Sequence, residues 1–304
     1  MWIQRAERGL ERSTVTYYRE HTNLHIVPLI GNLRLSRLTI PALSAFRDQL
    51  IDTRGADMAR RVLTSLSGII TNARRQGLCT INNVGAIERV KRERSDRRPT
   101  MPTRDELRAI LAATQTPRDR VVVALALFAG LRGSEIRGLT WSDVDHKAGV
   151  IHVRRRADRY NHLGLPKSKA GTRDIPTGAL LLNALKTWRV ACPVNELDLV
   201  LPAADGGIEQ HVRILRHVFW PIQIAAGVTL EDKSGELVAR YGLHALRHAA
   251  AATWIEAGFN AKQICTWMGH SSVQMTFDCY GYLMGASPEE ERAKLDRLAL
   301  RLVE

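Results

Sequence analysis

No two of the four cysteines, Cys79, Cys192, Cys265 and Cys279, stand in a Cys-x-x-Cys pair. That spacing excludes a zinc knuckle and a disulfide framework as organising devices, and it suits a reducing, cytoplasmic setting. The opening residues, Met1-Trp2-Ile3-Gln4-Arg5, lack the apolar core of a secretory leader. The longest apolar run, residues 121–130, is too short to span a bilayer. There is no internal repeat and no low-complexity tract. Acidic residues are scarce: 31 Asp and Glu face 44 Lys and Arg, a net charge of +13. Such a surplus favours a polyanionic partner, nucleic acid ahead of an acidic membrane surface. At 304 residues the chain can form two domains with a sizeable core in at least one.

The basic surplus is uneven. Residues 1–98 carry 18 Lys and Arg against 9 Asp and Glu, and the rest of the chain carries 26 against 22. The first third therefore reads as a DNA-gripping module, although a merely solvated basic surface gives the same counts. Its pattern is helical. Ser13 or Thr14 can cap a helix running through Tyr17, Tyr18 and Leu24 towards Pro28. Thr39 can cap a second, with Pro41 in its first turn and Leu43, Phe46 and Leu50 at helical spacing. A third spans roughly 56–76, with Val62, Leu63, Leu66, Ile69 and Ile70 on one face and Gly77 as its stop. Arg60, Arg61, Arg74 and Arg75 of this helix are candidate phosphate contacts. Residues 1–88 form this helical domain and residues 89–100 a basic linker, in which Lys91 and Arg92 are further candidates.

A second domain covers residues 101–286. Thr103-x-x-Glu106 is a capping box ahead of Leu107, Ile110 and Leu111. Residues 121–128 are apolar almost all round, so they predict a buried helix stopped at Gly130. Residues 150–153 and 172–175 read as short strands, and from about Glu209 the pattern is helical again. Ser287-Pro288-Glu289-Glu290 opens a final helix over 287–304, with Leu295, Leu298 and Leu302 as an apolar stripe that can dock on a neighbouring protomer or on its own domain.

Four stretches carry chemistry. In Gly130-Leu131-Arg132-Gly133-Ser134-Glu135, an arginine follows directly on the buried helix, so the fold fixes it; taken alone, a structural ion pair is the commoner role. In His244-Ala245-Leu246-Arg247-His248, His244 and Arg247 share one helix face and can act on one group. The similar pair His152 and Arg155 falls in a strand, where positions three apart face opposite sides. His244 and His248 also stand four apart, but Ala245 occupies the place where a zinc protease has its Glu, so metal binding is set aside and His248 reads as a packed or hydrogen-bonded residue. Gly269-His270-Ser271-Ser272 looks like a turn and cap, and Tyr280 follows ten residues after His270. Pro166-Lys167-Ser168-Lys169-Ala170-Gly171 places two lysines at a hairpin turn.

Taken along the chain as Gly-Leu-Arg-x-x-Glu, then Ser-Lys-x-Gly before Ile-Pro, then His-x-Leu-Arg-His, then Met-Gly-His, then Tyr, the stretches resemble the tyrosine recombinase (phage integrase) family over nearly the whole chain. The resemblance implies a mainly α fold with a small antiparallel β-sheet in the catalytic domain, the two domains forming a DNA clamp. It implies that Arg132, Lys169, His244, Arg247, His270 and Tyr280 are catalytic, with Glu135 supporting Arg132. Lys167 is the alternative to Lys169, and Tyr282 leaves open which tyrosine attacks. Ala245 stands where the family often has Asp, and Tyr282 where His often follows the nucleophile. The chemistry is phosphoryl transfer without metal or cofactor. Arg132 and Arg247 neutralise the phosphate oxygens. Tyr280 attacks, with His244 as base and His270 bonding the phosphate. Lys169 protonates the leaving 5′ oxygen, and a 3′-phosphotyrosyl link stores the bond energy. The implied partners are double-stranded DNA attachment sites, a homotetramer on DNA, and accessory DNA-bending proteins, with no membrane. A further N-terminal arm-binding domain is common in such proteins, and this chain starts near the first core-binding helix. Three other readings fit parts of the pattern: a type IB topoisomerase-like enzyme, a catalytically silent DNA-binding regulator, and a basic helical scaffold.

Overall fold

The computed structural model describes residues 2–88, 90, 99–285 and 288–303. The linker candidates Lys91 and Arg92, and the expected cap Ser287, lie outside the described residues. The chain divides into two compact units, residues 1–96 and 97–304.

The first unit is helical. Thr39 caps the helix Ile40–Arg54 as its spacing predicts, and Leu43, Phe46 and Leu50 are buried. They meet Val62, Leu63, Leu66 and Ile70 of the helix Ala56–Arg75 in one core. The start of the unit departs from expectation. A helix over Trp2–Gly9 precedes the one that runs from Arg12, and neither Ser13 nor Thr14 supplies its cap. That helix also passes through Pro28. Pro28 has no N–H, and its ring would collide with the carbonyl four residues back in a regular helix. A wide π-turn over Thr22–Ile26, in which the Val27 N–H donates to the Thr22 carbonyl, comes immediately before and supplies the slack. The second unit repeats the device: a π-turn over Leu215–Phe219 precedes Pro221 in the helix Trp220–Ala225.

At the centre of the second unit lies the helix Pro117–Leu127. Thr116 and Asp119 cap it reciprocally, and every side chain from Val121 to Leu127 is buried. Each such valine or leucine contributes about 1.5–3 kcal/mol of apolar burial, so this helix anchors the core. The helices Ala179–Ala191 and His244–Glu256 pack against it. The Thr103–Glu106 capping box forms at the head of Arg104–Ala112. The strand Val150–Val153 lies between Val144–Asp145 and Arg173–Pro176, antiparallel to both, with Val153 opposite Arg173. His152 pairs there with Asp174 at 2.8 Å. The helical pattern expected from about Glu209 is interrupted by a hairpin, Thr229–Glu231 with Leu237–Ala239. Its turn is made locally: the Asp232 carboxylate accepts the Ser234 and Glu236 N–H groups, and Gly235 takes φ +82°. The helix Pro288–Val303 closes the chain. No helix among the described residues is long and apolar enough to cross a membrane.

Candidate active site

Gly130 ends the turn after the central helix with φ +58°, and a Cβ there would lie 2.8 Å from the Trp254 ring. Glycine alone fits, and the turn delivers Arg132 to the head of the short helix Gly133–Gly138. Glu135, three residues on, takes the Arg132 backbone N–H at 2.9 Å and its guanidinium at 2.8 Å. The Gly-Leu-Arg-x-x-Glu spacing is thus a helix cap that also forks the arginine.

Glu135 holds more than Arg132. Arg173 donates through both terminal nitrogens, at 3.0 and 2.8 Å, and Arg247 stands 4.0 Å away. The carboxylate is buried, which alone would raise its pKa. The Arg173 hydrogen bonds and charge, with Arg247 and Arg132 behind them, override burial and hold it at about 2. Glu135 is therefore charged at any ordinary pH.

The second anchor is the C-terminal end of the helix Ala261–Met268. Its last carbonyls have no partners within the helix and carry the negative end of its dipole. Three consecutive ones each accept from a different arginine. Trp267 takes Arg173 Nε at 2.6 Å, Met268 takes Arg247, and Gly269 takes Arg132 at 3.0 Å. Arg247 also donates to the Gly130 carbonyl. Gly269 closes this helix in the left-handed region, φ +61°, where a Cβ would meet the Ala170 carbonyl at 2.9 Å. That close approach sets the turn bearing Lys169 against the Gly-His segment. A cavity of about 510 Å³ opens there, bordered by Ala170, Thr172, His270 and Ser271. Lys169 and Lys167 are both exposed.

Three histidines complete the cluster. His244 begins the helix His244–Glu256, and burial, then His248 and Arg247, lower its pKa to about 4. His270 is lowered to about 4 in the same way, by burial first and then Arg247 and Arg132. Its Nδ1 lies 2.9 Å from the buried Thr276 hydroxyl. Ser272 caps the helix Val273–Tyr280, which carries Thr276 and Tyr280 one turn apart on the same face. Tyr280 is 1% exposed and Tyr282 is 41% exposed, so Tyr280 is the tyrosine placed among the histidines. Its hydroxyl lies 2.7 Å from His248 Nδ1, and the His270 ring stacks parallel to it at 6.4 Å. Burial pushes the Tyr280 pKa far up, opposed by the Arg247 charge.

The cluster thus gathers Arg132, Glu135, His244, Arg247, His270 and Tyr280 with the Lys169 turn beside them. Two members were absent from the sequence-based set. Arg173 is one; its signal is an arginine at an inward strand position beside buried Ile175, which demands a buried acid. His248 is the other. The hydroxyl partner expected at His244 is His248, because one further helical turn brings that side chain to the Tyr280 face, while His244 lies edge-on to it at 4.7 Å between ring centres. In the first unit Arg61, Arg74 and Arg75 are exposed, whereas Arg60 is half-buried and paired with Asp57 at 2.6 Å.

Known proteins give the cluster a context. The sequence profile of the phage integrase family matches residues 101–283. Prophage integrase IntR of Escherichia coli K12 is 24% identical over 245 residues, covering 76% of this chain and 58% of that protein, so the chain spans little more than half of that relative. The ICEBs1 integrase of Bacillus subtilis 168 is 25% identical over 301 residues, covering 94% of this chain and 79% of that one. The tyrosine recombinase XerC of Xylella fastidiosa 9a5c is 25% identical over 287 residues, covering 89% and 86%. Among solved structures, the Tn1549 transposon integrase in complex with transposon right end DNA superposes with a TM-score of 0.77 at 19% identity, covering 98% of each chain. A lambda integrase tetramer bound to a Holliday junction gives 0.66 at 20% identity, covering 89% of this chain and 76% of that one. These last two share the fold.

Proposed function

The chain belongs to the phage integrase family, and on that premise we propose that it is a site-specific DNA recombinase that cuts and rejoins DNA through a 3′-phosphotyrosyl intermediate, integrating or excising a mobile element. The observation that carries this reading is the arginine cluster. One buried carboxylate and one helix end fix Arg132, Arg173 and Arg247 beside a buried tyrosine and three histidines. A phosphodiester resists attack because its oxygens are anionic. Preorganised guanidinium groups lower that barrier without reorganising during the reaction.

Arg132, with a third of its side chain exposed, and Arg247 bind the non-bridging oxygens. Tyr280 attacks phosphorus. His244 and His270, both neutral at pH 7, hydrogen-bond the phosphate or carry protons. Lys169 protonates the departing 5′ oxygen. Residues 1–88 bind the core of the site, with Arg61, Arg74 and Arg75 on phosphates, and the basic linker 89–100 continues that track, so that the two domains clamp duplex DNA. Residues 101–286 are the catalytic domain. The protein works as a homotetramer on two attachment sites with accessory DNA-bending proteins, and the C-terminal segment 287–304 passes between protomers. Exposure of Leu295 and Leu298 supports that last assignment.

A plasmid carrying two candidate attachment sites tests the proposal. Excised or inverted circles should appear with the wild-type protein, and Tyr280→Phe should bind the sites yet give none. Relaxation of supercoils irrespective of site, with no rearranged product, would overturn it in favour of topoisomerase-like activity.

A further inference from the structure

His248 has no task in the catalytic set above, yet it is the residue on the Tyr280 hydroxyl. We propose that His248 is the proton acceptor for Tyr280: as the phenol oxygen bonds to phosphorus, its proton passes to His248 Nδ1. The inference rests on Tyr280 being the nucleophile.

Three features of the site support it. First, the contact is short and direct, 2.7 Å from Nδ1 to the hydroxyl oxygen. Second, the ring sits on the residue next to Arg247, on a helix whose other side packs into the core, so it is fixed relative to the arginine assigned to the phosphate. Third, the groups around it keep it neutral and ready to accept. Arg247 and His244 stand on its own helix, Tyr280 faces it from the helix Val273–Tyr280, and His270 lies beyond the Tyr280 ring. Burial and then the Arg247 charge hold His248 below its usual pKa of 6.5. His244, by contrast, feels the charges of Arg132 and Glu135, and its ring lies edge-on to His248 at 4.7 Å between centres.

The step balances. The Tyr280 O–H bond breaks as the O–P bond forms, and His248 becomes an imidazolium. The P–O5′ bond breaks, and the 5′ oxygen takes a proton from the general acid. Rejoining reverses both transfers: a 5′ hydroxyl attacks phosphorus, and the imidazolium returns its proton to the departing phenolate.

The same contact has an opposite reading, a latch that merely stores Tyr280 in its buried position. Single-turnover formation of the covalent adduct on nicked attachment-site DNA separates the two. His248→Gln keeps a hydrogen-bond acceptor but cannot take a proton. With unchanged DNA affinity, it should form the adduct ~10²–10⁴-fold more slowly, the usual range for losing a general base. A 5′-bridging sulfur should not restore its rate, because sulfur relieves the need for an acid. A fluorinated tyrosine at position 280, whose phenol ionises more readily, should restore much of it. An unchanged or faster rate in His248→Gln overturns the proposal and supports the latch. A slow rate that the fluorinated phenol leaves slow also overturns it, because the defect is then one of packing. The wild-type protein supplies a check that needs no variant: its adduct rate should fall in acid with a midpoint below 6.5, and a rate that rises as the pH falls contradicts the assignment. Adduct formation by Tyr280→Phe would instead defeat the nucleophile assignment itself.

Discussion

Replacing Glu135 by glutamine should destabilise the catalytic unit by about 3–5 kcal/mol at pH 7, the cost of breaking a buried ion pair from one side. The substitution preserves shape but removes the charge that Arg173 and Arg247 share, and both of those side chains are 2% exposed, so water cannot replace it. The titration of Glu135 gives an independent figure. Its pKa falls from 4.5 to about 2, which at 1.36 kcal/mol per pH unit is about 3 kcal/mol of linked stability. A lowered carboxylate pKa stabilises above the unfolded value and loses that stability as pH falls. The contribution is therefore complete above about pH 5.5, and less than half remains at pH 3. Urea unfolding followed by tryptophan fluorescence suits the measurement, since Trp141, Trp188, Trp220, Trp254 and Trp267 all lie in residues 97–304. The gap between wild type and Glu135→Gln should be widest near pH 7 and shrink towards pH 3. A gap below about 1 kcal/mol at pH 7, or one of equal size at both pH values, would refute the view that this carboxylate organises the arginines.

Lys169→Ala should cleave ordinary DNA ~10²–10⁴-fold more slowly and recover on DNA with a 5′-bridging sulfur, while Arg132→Ala should not recover. Recovery by Lys167→Ala instead would move the acid to Lys167, and recovery by neither would remove the acid from this turn. Binding to a single site should weaken steeply with salt, with a logarithmic slope of about −0.9 per phosphate contact, and a flat response would remove the basis for a DNA grip by residues 1–98. Deleting residues 287–304 should spare half-site binding and impair assembly on two sites, because Leu295 and Leu298 are 65% and 54% exposed on the single chain. Normal two-site assembly by the truncated protein would exclude exchange of this helix.

Local chemistry was legible in the sequence, and pairings across the chain were less so. The Thr103–Glu106 box, the buried helix ahead of Gly130 and the strand 150–153 each depend on neighbours within a few residues, and the structure places them where the pattern does. The role of Arg173 is not legible locally, because its acid partner lies 38 residues away. The hydrogen bond expected of His248 is present, but its partner Tyr280 is 32 residues distant and on another helix, so the sequence does not name it. The three carbonyls of Trp267, Met268 and Gly269 are backbone groups, and backbone acceptors leave no mark in a residue pattern. The π-turns before Pro28 and Pro221 were hidden because a proline in a helical pattern signals an end, and the wide turn that rescues it has no side-chain signature. The hairpin at 229–239 leaves no clear pattern because its strands are three residues each and none of their side chains is buried.

The central claim is that Tyr280 attacks DNA and becomes joined to its 3′ phosphate. The direct measurement uses attachment-site DNA nicked next to the cleavage point, so that the small released fragment diffuses away and the covalent complex accumulates. Proteolysis and mass spectrometry then locate the modified residue, and labelling of each DNA end reads the polarity. A nucleotide on the peptide containing Tyr280, attached through a 3′ phosphate and absent from Tyr280→Phe, is the predicted result. A linkage to Tyr282, a 5′ phosphate linkage, or cleavage with no covalent peptide would contradict the account.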